Sequence, residues 1–137
     1  MTFLYIQPVA VDRRDLERIA DAARPFGFEY RHVAGVDMLV DSVKPSARSA
    51  VHPVLVGEKV RPEYPEAVPD FSPPVETREG VLLAPVADLV RMKLTSYRLK
   101  DRVHIQDLDA AGLLTAEIEA RLPNELRRRL AEIRSTR

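Results

Sequence analysis

The sequence contains no cysteine, which removes both a disulfide framework and any thiolate metal site and fits a reducing compartment. The expected location is therefore cytoplasmic. Long apolar runs are missing too. Stretches such as residues 54–56 and 81–83 fall far below the roughly 20 residues that span a bilayer. The amino end lacks the basic flank and apolar core of a signal peptide. A soluble, untargeted chain with no membrane partner is expected. Net charge is also absent, with 21 basic and 21 acidic side chains, so the whole chain offers no electrostatic case for nucleic acid.

Several chemical signatures are missing as well. No glycine-rich phosphate loop, GxGxxG or Gly-x-Ser-x-Gly pattern occurs, which removes the commonest nucleotide and hydrolase motifs. His32, His52 and His104 share no metal-ligand spacing, so a zinc site is not expected.

What is present is the composition of an ordinary globular protein, with 137 residues, 45% hydrophobic and 31% charged. That length suits one domain, residues 1–137. Charge is unevenly spread: basic and acidic side chains number 10 and 13 in residues 1–85, and 11 and 8 in residues 86–137. An anionic ligand is expected to meet the second part.

The patterning predicts an α/β (α+β) protein, with a mixed β-sheet of about four to six strands, helices packed on it and a helical carboxyl-terminal region. Residues 2–7 read as a strand, and Asp12 with Asp15 as the start of a helix over residues 13–25. Leu16, Ile19, Ala20 and Ala23 place one apolar face on that helix, and Pro25 with Gly27 ends it. Residues 28–33 and 36–43 read as strands around Ala34-Gly35. Residues 51–56 form a further strand that Pro53 confines to an edge or bulge.

Five prolines in residues 57–74 exclude a helix and predict a long loop, a site-flanking loop or a plain surface wrap. Residues 75–83 supply one or two short strands interrupted at Glu79-Gly80. Pro85 suits the first turn of a helix. Residues 1–84 are thus the sheet-forming part with one helix, and residues 85–137 the helical part. Helices are predicted near 86–99, 103–111, 116–121 and 124–134, with breaks at Gly112 and Pro123 and Thr115 as an N-cap.

Lys93 stands out on the apolar stripe of Val86, Leu89, Val90, Leu94 and Tyr97. A lysine there must snorkel, pair with a carboxylate or bind an anion. Besides simple snorkelling, two readings stay open. Lys93 and Lys100 pair with Asp101 and Asp107 to pin two helices, or Lys93 and Lys100 face a phosphate with Asp101 and Asp107 in support. His52, Glu58, Lys59 and Arg61 form a second cluster where a strand runs into the long loop, a favoured ligand position in open sheets. His52 reads equally as a half-buried strand histidine, and the other three as a solvated face. Asp37 and Asp41 share one side of a strand and are the weak metal candidates. Arg127, Arg128 and Arg129 read most simply as the wet face of the last helix, with nucleic-acid contact the minor alternative in a neutral chain.

The run LVRMKLTSYRLKDRVHIQDL at residues 89–108, followed by GLL at 112–114, resembles the carboxyl-terminal region of small bacterial nucleotidyltransferase-like proteins of the polymerase-β superfamily. That group includes minimal nucleotidyltransferases and abortive-infection, toxin–antitoxin members. VHPVLVGEKVRP at 51–62 resembles a segment of one subgroup. The resemblance implies a nucleotide partner, with ATP or another nucleoside triphosphate and Mg²⁺ as the cofactors of an active member. Two divalent metals held by carboxylates would carry the reaction.

The chain departs from the family pattern. It has no Gly-Ser pair, no Asp-x-Asp in residues 2–7, and His52 where a third carboxylate is expected. The expected function is therefore a nucleotide-binding or regulatory, partner-binding module, truncated at its amino end or catalytically degenerate. The alternatives are an active Mg²⁺-dependent enzyme built on carboxylates such as Asp37 and Asp41, or a structural protein that dimerises through an exposed strand edge.

Overall fold

The computed structural model describes residues 13, 15–70, 73, 75–80 and 82–136. The strand predicted over residues 2–7 and the Asp12 cap lie outside the described residues. Helix α1 (Asp15–Ala23) buries Leu16 and closes through a 3₁₀ turn, Arg24–Phe26. Gly27, at φ 83°, then supplies the left-handed exit that a residue with a Cβ takes at a cost.

Strands β1 (Phe28–Val33) and β2 (Val36–Asp41) form an antiparallel hairpin in which Val33 faces Val36. The two-residue connection requires positive φ at both positions, and Ala34 and Gly35 take 50° and 76°. Met38, Leu39 and Val40 are all buried, so β2 is covered on both faces. Its second edge is met at one point, by the antiparallel bridge from Leu39 to Val51.

The strand expected over residues 51–56 is reduced to that bridge. Pro53 has no N–H to donate, so the ladder stops. Strands β3 (Val75–Glu76) and β4 (Leu82–Leu83) pair antiparallel as a second hairpin, with Gly80 at φ 76° between them. The α+β class is as expected. Among the described residues, however, the four strands make two separate antiparallel pairs in place of one mixed sheet, because the proline-rich stretch between them supplies no ladder.

That stretch is a closed loop. Gly57 N–H donates to the Val68 carbonyl and Val68 N–H to the Glu58 carbonyl, each at 2.9 Å, and Leu55 and Val68 are buried at its neck. This is the geometry of an Ω-loop, whose ends meet and whose side chains pack it from within. On the helical side, the loop's Glu66 lies 3.8 Å from Arg91.

The helical part comprises α2 (Val86–Ser96), α3 (Leu99–Ala110), α4 (Ala116–Ala120) and α5 (Asn124–Ser135). Its core is Val90, Leu94, Ile105, Leu114, Leu122, Leu126, Leu130 and Ile133, with Val86, Tyr97, Leu108 and Ile118 packed against it. Each such side chain contributes roughly 1.5–3 kcal/mol on burial. Thr115 Oγ1 accepts from Ile118 N–H as the N-cap of α4. Gly112 breaks the chain at φ 74°. Pro85 sits one position before α2, with an extended backbone. Among the described residues, no helix is long and apolar enough to cross a membrane.

One boundary differs in a way that matters. The sequence predicts a helix to residue 99 and another from 103, but the break falls at Tyr97-Arg98. Tyr97 adopts φ 52°, and its N–H closes α2 on the Lys93 carbonyl. Arg98 is extended and begins α3. Lys93 and Lys100 therefore lie on two helices that meet at a corner, so they share no continuous helical face.

Candidate functional site

The α2–α3 corner is organised by one carboxylate. Asp101, in the first turn of α3, is wholly buried. Lys93 Nζ donates to its Oδ1 at 3.1 Å and Ser96 Oγ to its Oδ2 at 2.7 Å. Arg98 donates from Nε at 2.7 Å, from its backbone N–H at 3.2 Å and from Nη2 at 3.4 Å. A carboxylate at this position also complements the partial positive charge of a helix start.

Burial would raise the Asp101 carboxyl, but the hydrogen bonds from Arg98, Ser96 and Lys93 outweigh it and hold the group well below the usual carboxylate range. Lys93 is pulled down from its ordinary value by burial, and its bond to Asp101 offsets only part of that. The positive charges of Arg98 and Lys100 act on Lys93 in the same downward direction. Two cations, Lys93 and Arg98, thus bond one carboxylate, and Lys100 adds its charge beside Lys93 at the same corner. Lys93 is buried beneath it, the Arg98 side chain is half exposed, and Lys100 is exposed. The phenol of Tyr64, on the Ω-loop, also acts on Arg98, so the loop reaches this corner.

Tyr97 is clamped between Arg102 and Arg129, whose guanidinium carbons lie 4.1 and 4.7 Å from its ring centre. Arg129 Nη1 also donates to the carbonyls of Leu94 and Thr95, at 2.8 and 2.9 Å. It thereby satisfies two acceptors that the end of α2 leaves open. Arg128 bonds to Glu125 and Arg127 to the Ala120 and Leu122 carbonyls. The expectation of a uniformly wet arginine face therefore fails at Arg129, which is 20% exposed.

A second cluster surrounds Asp37 on the first hairpin. The carboxylate is buried and accepts from Tyr30 Oη at 2.6 Å and Arg13 Nη1 at 3.4 Å, while His32 Nδ1 lies at 2.7 Å. Arg13 Nη2 continues to Glu58 Oε2 at 2.9 Å, joining the hairpin to the loop neck. Burial opposes ionisation of Asp37, but the bonds to Tyr30 and His32 and the charge of Arg13 lower its carboxyl overall. The bond to Asp37 raises the Tyr30 phenol, with burial adding to it.

Of the residues singled out from sequence, Lys93 and Asp101 meet, and Lys100 lies close enough to Lys93 to influence it. Asp107 is exposed on α3, away from the pair. His52 is exposed, its Nε2 lying 3.1 Å from the Ala47 carbonyl. Glu58 meets Arg13, whereas Lys59 and Arg61 are exposed on the Ω-loop. Asp37 and Asp41 do not converge. Asp41 Oδ1 is occupied by the N–H groups of Val43 and Lys44, at 2.8 and 3.1 Å. Among the described residues no group of three or more His, Asp or Glu side chains is placed to hold a metal ion.

Sequence reasoning passed over Arg98, Ser96, Tyr30, His32 and Arg13. The signal for His32 was available, because a two-residue turn at Ala34-Gly35 sets His32 directly opposite Asp37. Arg98 is three residues before Asp101, the spacing of a helix-start box. No protein-family model, curated protein or solved structure matches the chain.

Proposed function

We propose that the chain is a nucleotidyltransferase-like domain of the polymerase-β superfamily that works as a nucleotide-binding or regulatory module. The phosphates of a nucleoside triphosphate would meet Lys100 and Arg98 at the α2–α3 corner. Lys59 and Arg61 would contribute from the Ω-loop beside it. The observation that carries this reading is the gathering of Lys93, Arg98 and Lys100 at the corner that Asp101 organises. Lys93 and Arg98 both bond to Asp101, and Arg98 and Lys100 act on Lys93; a polyanion is the ligand that such a cluster of cations favours.

The resemblance at residues 89–108 supports the same reading, since that run forms both helices of the corner. Lys93 acts from below. Its buried ammonium keeps Asp101 ionised, and Asp101 holds the Arg98 guanidinium in place at the start of α3 through Nε and Nη2. Mg²⁺ would arrive with the triphosphate, as counter-ion to its phosphates.

Competition separates phosphate recognition from base recognition. A fluorescent ATP analogue bound to the chain is expected to be displaced by inorganic triphosphate and to resist adenosine. Displacement by adenosine alone, or no binding of the analogue, would contradict the reading.

Partner binding is favoured by a separate observation. Leu99 and Val103 stand one turn apart on α3, 80% and 52% exposed, beside Lys100. Exposed apolar pairs of this kind mark contact surfaces when they belong to a larger patch. Sedimentation across a concentration range tests self-association, and one unchanging monomeric species would count against a dimer.

A further inference from the structure

His32 and Asp37 face each other in register across the first hairpin, in a geometry that nucleotide binding at the helical corner does not use. Asp37 is 8% exposed, and its Oδ1 lies 2.7 Å from His32 Nδ1. Tyr30 and Arg13 fix the same carboxylate from two other directions, so its position is set by three side chains. Burial works against its charge, but the bonds to Tyr30 and His32 keep it lowered and ionised. A carboxylate on Nδ1 retains the ring proton there, which leaves the lone pair on Nε2. The His32 side chain is 49% exposed, and no hydrogen bond engages Nε2 among the described residues.

We propose that His32 is a phosphoryl acceptor, whose Nε2 takes a phosphoryl group from a small activated donor of the phosphoramidate or acyl-phosphate class, with Asp37 as its positioning residue. The Nε2 lone pair forms the new nitrogen–phosphorus bond as the bond between phosphorus and the leaving group breaks. The electron pair of that bond departs with the leaving group, which is ammonia for phosphoramidate, whose nitrogen already carries three protons in the zwitterionic form, and a carboxylate for an acyl phosphate. The Nδ1 proton stays shared with Asp37, whose negative charge balances the charge gained by the ring. Arg13, on the other oxygen of the same carboxylate and shared with Glu58, holds Asp37 in place against His32.

The other two histidines serve as internal references. Treatment of the full chain with phosphoramidate, followed by site mapping and by phosphorus NMR of the product, reads both the rate and the ring nitrogen modified. His32 is expected to react about tenfold or more faster than His52 and at Nε2 alone, and Asp37→Asn is expected to remove that advantage. Equal rates at His32 and His52, a product on Nδ1, or an unchanged rate in Asp37→Asn would each overturn the proposal. Should Asp37→Asn fail to fold, the rate ratio and the product isomer in the unaltered chain decide the matter without it.

Discussion

Lys93 and Asp101 lie on different helices, eight residues apart in sequence, and join through a 3.1 Å bond in which both side chains are almost fully removed from water. Such a pair loses to desolvation much of what it gains by attraction, yet losing one partner strands the other. Lys93→Met or Asp101→Asn alone is expected to cost about 3–5 kcal/mol. The double variant Lys93→Met, Asp101→Asn is expected to cost clearly less than the sum of the two. Chemical denaturation of all three variants checks this, and strict additivity would contradict the pinning role.

Acid should unfold the protein partly through the same group. Burial raises the Asp101 carboxyl and the three donors lower it further than burial raises it, so its folded value lies below the unfolded value of about 3.9. The stabilisation is therefore fully present above about pH 4 and is lost as pH falls from there through the folded value. Denaturation midpoints measured between neutral pH and pH 2 are expected to fall more steeply for the unaltered chain than for Asp101→Asn. Parallel profiles would count against the assignment.

Much of the helical part was legible, because apolar spacing, Thr115, Gly112 and Pro123 all point to the same boundaries. The break at Tyr97-Arg98 was not. Tyr97 takes a left-handed conformation that costs about 1–2 kcal/mol, and what holds it there is Arg129, from α5, with Arg102. A contact 32 residues distant leaves no local trace. The hairpin turn was legible from Ala34-Gly35, and with it the facing of His32 and Asp37, whereas Arg13, which reaches Asp37 from outside the hairpin and carries Glu58 on its other nitrogen, was not. Among the described residues the strands form two pairs in place of one sheet, because Pro53 and the proline-rich stretch after it supply no ladder between them.

Arg129 and Arg128 are neighbours with opposite roles. Arg129→Ala removes two bonds to the end of α2 and one face of the Tyr97 clamp, and is expected to cost about 1–3 kcal/mol. Arg128→Ala, on the exposed side of α5, is expected to change stability by less than about 0.5 kcal/mol. Thermal melts of the two variants compare them directly, and equal losses would show that the clamp contributes nothing.

The turn residue Ala34 sits at φ 50°, a region that asparagine tolerates better and that a type I′ hairpin prefers to fill with Asn-Gly. Ala34→Asn is expected to stabilise the chain by up to about 1 kcal/mol. A raised urea midpoint with an unchanged slope would agree, and a lowered midpoint would contradict the turn assignment.

The cationic corner is tested most directly by calorimetric titration with Mg²⁺ and ATP, comparing the unaltered chain with Lys100→Ala, Arg61→Ala. The account predicts binding by the unaltered chain that weakens with added salt and falls about tenfold or more in the double variant, with both proteins equally folded. Equal affinity in the two proteins, or no heat of binding in either, would contradict it.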